Sequence, residues 1–330
     1  MPDSTQKVLV SGVKPTARPH IGNYLGAMKQ FVDMQHEYDT RVFIADYHAL
    51  TTLHDADTLR EMTYNIALDY LAIGLDPETT HIYKQSDVPS HTELAVILSN
   101  TVPSSYLTRA HAYKAAQDKN EDINAGTLYY PILMAADILM YDTHIVPVGA
   151  DQKQHVEYAR DIAERFNHTY GETFVIPQAR ILENVQTVPG VDSRKMSKSY
   201  GNDIGLFATD DEITKAVMSI PTDSQDKDAP KKEYTTDTLY QLHTHFTTGN
   251  ELEKVKTGYK EGGLGYKESK EILIESIKGL IAPLRDKREE IANDRDFVMS
   301  VLDTGARAAR AEASEKMNDV RAKVGLTASQ

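Results

Sequence analysis

The chain has 330 residues, 36 Lys+Arg against 49 Asp+Glu for a net charge of −13, and neither Cys nor Trp beside 18 Tyr. Zero Cys excludes disulfides, thiolate nucleophiles, iron–sulfur clusters and cysteine zinc sites. The negative charge argues against a non-specific nucleic-acid coat, which runs on phosphate neutralisation, but leaves room for a local basic surface.

The length suits about two domains. Residues 1–210 carry 17 basic and 27 acidic side chains, and the remainder 19 and 22, so the acidity sits mainly in the first part. No apolar run approaches the ~18 residues of a membrane span. The start MPDSTQKVLVSG has neither the charged nor the apolar region of a signal peptide, which makes the cytoplasm the default expectation.

Val8–Val10 predicts a strand ending at Ser11-Gly12, followed by a helix with Ile21, Tyr24, Leu25, Met28 and Val32 on one face. Val42–Ala45 predicts the next strand, residues 57–74 a helix closed by Gly74, Ile82-Tyr83 a strand and Thr92–Leu98 a helix. Pro131–Met140, the strand Ile145–Val148 and the helix Asp151–Phe166 continue the alternation. Alternating strands and helices predict an α/β fold with a parallel sheet and helices on both faces. Beyond residue 205 the patterns are helical, roughly 210–219, 236–247, 266–281, 283–304 and 306–324, with Pro283 at a break or first turn. Polar or Gly-rich stretches at 115–124, 222–233 and 249–265 predict flexible connections.

Three segments carry chemistry. In Pro19-His20-Ile21-Gly22-Asn23 a helix opens after a strand and loop. His20 and Asn23 suit phosphate oxygens there and Gly22 lets a nucleotide approach, unless the two side chains merely cap the helix. In Lys195-Met196-Ser197-Lys198-Ser199 two lysines beside hydroxyls and Gly201 suit a phosphate-clamping loop, the alternative being a solvated turn. In Tyr130–Leu139, Tyr130, Met134 and Asp137 share one helical side. Asp137 lies in an apolar helix and needs a donor: an indole N–H, a phenol O–H, backbone or an Arg. Downstream, Val146 and Val148 suit the wall of an aromatic ring, and Asp151 and Gln152 the polar ends of substrates.

The first two segments together resemble the HIGH and KMSKS signatures of class I aminoacyl-tRNA synthetases. Met134–Leu139 (MAADIL), Val146–His155 (VPVGADQKQH) and the residues around Gly12, Pro15 and Gly26 further resemble bacterial-type tryptophanyl-tRNA synthetases, over most of residues 7–325. The resemblance implies a Rossmann-like doubly wound catalytic domain over 1–204 and a helical anticodon-binding domain over 205–330. The last helix of the second would pack back on the first. It also implies a homodimer, ATP as substrate, Mg²⁺, L-tryptophan and tRNA(Trp) as partners, and no metal held by the protein itself.

Roles carried by the resemblance fall on matching positions. Asp137 would accept from the indole N–H, Tyr130 and Gln152 would meet the α-ammonium, and Met134, Val146 and Val148 would pack on the ring. His48 falls near the amino acid, and Val10 where relatives often stack an aromatic residue. Lys14, Pro15, His20, Gly22, Asn23, Gly149, Asp151, Lys195, Met196, Ser197 and Lys198 would bind ATP, with His20, Asn23, Lys195 and Lys198 catalytic. Four departures stand out: Val10 in place of that aromatic residue, His20 where many relatives have a hydroxyl, Tyr113-Lys114-Ala115-Ala116 in place of FKxKS, and Ala150 in place of an acid.

The implied reaction is attack of the tryptophan carboxylate on the α-phosphorus of ATP, then transfer to a terminal ribose hydroxyl of tRNA. A tyrosyl-tRNA synthetase, an ATP-dependent ligase that never meets tRNA and a non-catalytic paralogue are the competing readings. The basic residues Arg285, Lys287, Arg288, Arg295, Arg307, Arg310, Lys316, Arg321 and Lys323 are interleaved with acids and read mostly as solvated helix faces with i,i+4 pairing.

Overall fold

In the computed structural model, residues 6–109, 113–114, 117, 124–149, 153–181, 188–223 and 225–327 are described. Five strands, β1 (Val8–Val13), β2 (Asp39–Ile44), β3 (Thr80–Lys84), β4 (Ile145–Val148) and β5 (Gln178–Ile181), pair in parallel in the order β3-β2-β1-β4-β5. The principal helices are α1 (Ala56–Ala72), α2 (Ser90–Ser99), α3 (Ala125–Leu139), α4 (Lys153–Tyr170), α5 (Asp210–Met218), α6 (Thr238–Phe246), α7 (Gly249–Glu261), α8 (Tyr266–Ala292) and α9 (Arg295–Val324). This is the α/β arrangement expected from the alternation. The strand order reverses between β1 and β4, and such a reversal opens a ligand crevice at the carboxyl ends of the strands. Lys14 and Pro15 follow β1 there, and Gly149 follows β4.

The chain divides into two compact units: Met1–Thr16, Gln30–Glu183 and Asp294–Gln330 form one, Ala17–Lys29 and Asn184–Asn293 the other. These units interleave along the chain. In the first unit the core joins Tyr83, Leu94, Leu98, Ala135, Val156 and Phe166 to Ala306, Ala309, Ala313, Met317 and Val320 of α9. Each large apolar side chain so buried stabilises the fold by roughly 1.5–3 kcal/mol. Helix α9 covers the sheet edge at β3, and Gly305 is what lets it approach: a Cβ there would lie 2.1 Å from the Ile82 carbonyl oxygen. Arg41 on β2 reaches Glu312 of α9 at 2.9 Å and Asp39 at 2.9 Å, tying helix and sheet by charge as well.

Several basic residues expected to pair along their own helix make tertiary ties instead. Within the first unit Arg321 grips Glu93 at 2.7 and 2.6 Å, Lys316 reaches Asp142 at 2.6 Å and Arg310 donates to the Asp87 carbonyl at 3.0 Å. Arg307, by contrast, pairs with Asp303 at 3.3 Å in the i,i+4 manner.

The second unit is held by helix contacts and a buried polar network. His243 on α6 bonds Thr247 Oγ1 at 2.8 Å and Ser269 Oγ at 2.9 Å, and Tyr259 on α7 bonds the same Ser269 hydroxyl at 3.0 Å. Burial pushes the His243 pKa down to about 4, so the imidazole stays neutral at neutral pH. Lys270 closes the carboxyl end of α5 by donating to the Met218 and Ile220 carbonyls at 2.9 and 2.6 Å.

Three sequence expectations are corrected. The stretch 249–265 is not a loop over its first part but helix α7, because Val255 and Tyr259 recur at helical spacing and are fully buried. The three patterns at 266–281, 283–304 and 306–324 are two helices broken at Asn293-Asp294, and Pro283 lies inside α8. Buried Ile277 and Ile281 hold the turn before Pro283 in place although it has no N–H to donate. Strand β5 was not foreseen, since its Gln-Ala-Arg-Ile run lacks a β pattern. No helix among the described residues is long and apolar enough to cross a membrane.

The close approach at α9 can be measured. Gly305→Ala should lower stability by about 1–3 kcal/mol, since a methyl there must push backbone. Gly279→Ala in α8, where a Cβ meets nothing within 4 Å, should instead raise it by about 0.5–1 kcal/mol through helix propensity. Thermal or urea unfolding of both variants reads the contrast, and equal shifts of the same sign would refute the close packing of α9.

Candidate active site

The candidate residues gather into two groups, one in each compact unit. In the first unit the focus is Asp137, a carboxylate 1% exposed in the apolar helix α3. Left bare it would carry a severe desolvation penalty. Three donors remove it: His48 Nε2 lies 2.8 Å from Oδ2, while His91 Nδ1 at 2.7 Å and Gln85 Nε2 at 2.8 Å converge on Oδ1. Burial alone would raise the pKa, but the hydrogen bonds and charge of His48 and His91 outweigh it and hold the carboxyl at about 2. Asp137 is therefore ionised, and an ionised carboxylate accepts about four hydrogen bonds. Among the described residues three are present, two on Oδ1 and one on Oδ2.

The donors are set by local turns. His48 sits in the short helix Asp46–Ala49 after β2, and Gln85 in the turn Gln85–Asp87 after β3. Asp46 joins the two segments by accepting from the Ser86 amide at 3.0 Å and from the Ser86 hydroxyl. His91 stands in the first turn of α2, with Nε2 2.8 Å from the Tyr141 hydroxyl. Asn124 caps α3 by accepting from the Thr127 amide at 2.9 Å, and its own amide donates to the Thr51 carbonyl at 3.2 Å. Lys14 reaches the Thr51 hydroxyl at 3.3 Å, which brings the loop after β1 beside the start of α3.

Around the carboxylate the surface is apolar and aromatic. Val10, Val146 and Val148 belong to one buried cluster, with Met134 packed against it. The Tyr130 ring stands edge-on to His48 at 6.3 Å, and its hydroxyl bonds His155 Nε2 at 2.7 Å. Burial pushes the Tyr130 phenol up to about 12, so it keeps its proton. Asp151 and Gln152, as well as Ala150 and the Ala115-Ala116 departure, lie outside the described residues.

In the second unit the two signature segments meet. His20 pairs with Gly205 across an isolated antiparallel bridge, and Ile21 donates to the Ile204 carbonyl at 3.0 Å. His20 and Asn23 form a reciprocal cap: Asn23 N–H donates to His20 Nδ1 at 3.2 Å, and His20 N–H to Asn23 Oδ1 at 3.0 Å. Capping thus occurs, and it also sets the chemistry. With Nδ1 accepting, neutral His20 carries its proton on Nε2 and offers it as a donor. Burial depresses the His20 pKa, Asp203 opposes this, and Lys198 and Lys195 add to it. Both lysines lie exposed beside it. Gly22 leaves room for Met196, whose sulfur would be 3.4 Å from a Cβ at that position.

Asn202, which the motif reading passed over, organises the lysine loop. Its Oδ1 accepts from the Ser197 amide at 2.8 Å, and its Nδ2 donates to Asp192 Oδ1 at 2.6 Å and to the Lys195 carbonyl at 3.2 Å. It is 1% exposed and packs where Gly190 has no side chain, since a Cβ there would sit 2.3 Å from the Asn202 amide. His91 and Gln85 were likewise missed. Their donors reach Asp137 from 46 and 52 residues away, and no local pattern signals that.

An open parallel sheet whose strand order reverses at β1 and β4 is the architecture of nucleotide-using enzymes. A model of the family tRNA synthetases class I (W and Y) matches residues 3–282, and the chain belongs to that family. It is 49% identical to the tryptophan–tRNA ligase of Fusobacterium nucleatum over 319 residues, covering 96% of this chain and 97% of that one. The tryptophan–tRNA ligase of Rhodopirellula baltica is 46% identical over 318 residues, covering 96% and 99%. Among solved structures, tryptophanyl-tRNA synthetase from Campylobacter jejuni complexed with ADP and tryptophan superposes with a TM-score of 0.89 at 40% identity, covering 97% of this chain and 99% of that one.

The role of Asn202 has a direct readout. Asn202→Ala should speed tryptic cleavage at Arg194, Lys195 and Lys198 severalfold, because three ties of the loop are lost together. Cleavage at the wild-type rate would show that the loop is held by other contacts.

Proposed function

We propose that the chain is a tryptophan–tRNA ligase: it activates L-tryptophan with ATP and transfers it to the 3′-terminal ribose of tRNA(Trp). The observation that carries the choice of amino acid is Asp137, an ionised acceptor at the edge of an apolar, aromatic-lined cluster. An indole N–H meets that acceptor, and Met134, Val146 and Val148 pack on the ring. Tyr130 and Gln152 receive the α-ammonium. A site built on a hydrogen bond rejects rings without the donor more sharply than apolar fit alone.

In the first step a tryptophan carboxylate oxygen forms a bond to the α-phosphorus and the bond to pyrophosphate breaks. No protein nucleophile takes part, so alignment and charge stabilisation do the catalysis. Lys195 and Lys198 neutralise the departing pyrophosphate, and His20 Nε2–H and the Asn23 amide hold phosphate oxygens. Lys14, Pro15, Gly22, Gly149, Asp151, Met196 and Ser197 complete the nucleotide contacts. In the second step the ribose hydroxyl attacks the carbonyl carbon and AMP leaves.

Mg²⁺ accompanies the triphosphate and offsets its charge. Residues 1–204 act as the catalytic domain and the helices after 205 as the region that meets the anticodon, with the last helix, α9, packed back on the catalytic core. A homodimer working in the cytoplasm completes the proposal.

ATP–pyrophosphate exchange with each of the twenty amino acids tests the reading. Tryptophan alone should drive exchange, and exchange driven by tyrosine, or by none, would overturn it. Lys195→Ala should slow exchange by about 10²–10³-fold with tryptophan affinity changed by less than about twofold. Equal losses in both would remove Lys195 from its assigned role.

A further inference from the structure

We infer that Tyr141 is a positioning residue for amino-acid selectivity, acting through His91 on Asp137. The inference rests on the proposed pairing of Asp137 with a ring N–H. The three groups form one buried line: Asp137 Oδ1 lies 2.7 Å from His91 Nδ1, and His91 Nε2 lies 2.8 Å from the Tyr141 hydroxyl. His91 is 0% and Tyr141 5% exposed, so neither ring nitrogen reaches solvent.

An ionised carboxylate can only accept, so His91 Nδ1 must carry a proton whatever the charge of the ring. The remaining question is Nε2, which is a lone pair in the neutral ring and a donor in the charged one. The Tyr141 hydroxyl donates or accepts and satisfies either form. Burial holds the Tyr141 phenol well above its ordinary pKa, so its proton stays available. A hydrogen bond at Nε2 also polarises the imidazole and strengthens its Nδ1–H donor. Tyr141 thereby keeps His91 pointed at Oδ1, and His91 with Gln85 keeps the carboxylate from rotating. Among the described residues Oδ2 accepts one hydrogen bond, from His48, and its second acceptor direction is then fixed, which a ring N–H must match.

Remove the hydroxyl and Nε2 loses the partner that the described residues give it, which favours a turned imidazole. The ring of Tyr141 has separate work: it lies 5.6 Å from the His91 ring and 6.2 Å from that of Tyr83, with the Arg41 guanidinium 5.8 Å from its centroid. Tyr141→Phe keeps that packing and deletes only the hydroxyl.

The experiment compares exchange driven by L-tryptophan with exchange driven by the analogue in which sulfur replaces the ring N–H, β-(3-benzothienyl)alanine. The wild type should prefer tryptophan, and Tyr141→Phe should shrink that preference about tenfold. The loss should appear in the KM for tryptophan, with kcat and the rate on the sulfur analogue nearly unchanged. A parallel fall on both substrates, with the ratio kept, would make Tyr141 a packing residue and overturn the inference. A wild type that does not prefer tryptophan would overturn the Asp137 reading itself and this inference with it. Should Tyr141→Phe fail to fold, ¹⁵N spectra of histidine-labelled wild-type protein decide, with His91 assigned by its loss in His91→Gln. A protonated Nδ1 is expected, and a proton on Nε2 alone would overturn the proposal.

Discussion

A carboxylate buried in an apolar helix survives as an anion only where donors meet it, and much of the first unit is arranged to bring donors to Asp137. His48 comes from the segment after β2, Gln85 from the turn after β3 and His91 from the start of α2. Parallel strands deliver these segments to the same end of the sheet, so the acceptor and the fold are one construction. Asp46 and Ser86 lock two of the segments together. Helix α9 supports the same region from the edge, since the Gly305 contact seats it on β3 and Arg41 ties it to β2.

The second unit solves a different problem, that of fixing the backbone beneath two exposed lysines, which the proposed function assigns to phosphate. Exposed lysines lose conformational entropy whenever they are fixed, so a mobile chain of them makes a poor phosphate site. Here the side chains are exposed while the backbone beneath is stapled by Asn202 and by the buried Met196. The reciprocal cap of His20 and Asn23 orients the imidazole beside them and leaves Nε2–H to donate. Positive charge from Lys195 and Lys198 helps keep that imidazole neutral, which suits a donor rather than a further cation.

Much of this was legible in the sequence, and what was not has physical causes. Strand–helix alternation up to β4, the strong helices and the paired-lysine loop follow from local pattern. Asp137 was conspicuous because a carboxylate in an apolar helix demands a partner. The partners themselves were not legible: His48 was expected near the site only through resemblance, and His91 and Gln85 meet Asp137 by tertiary folding alone. Proline and glycine misled at α8 and α7, where buried Ile277, Ile281, Val255 and Tyr259 outweigh local helix breakers. Asn202 escaped because an Asn after a Gly is the common signature of a turn, and its three bonds arise only once the loop closes.

The chain contains no tryptophan, so in purified protein an indole signal belongs to bound ligand. Titrating L-tryptophan with protein and following indole fluorescence anisotropy therefore tests the role of Asp137 with no background. The wild type should raise the anisotropy saturably. Asp137→Asn, with its helical circular dichroism intact, should bind at least about tenfold more weakly, because the ionised acceptor is gone. Equal affinity in the two proteins would contradict the assignment of Asp137 as the group that recognises the indole.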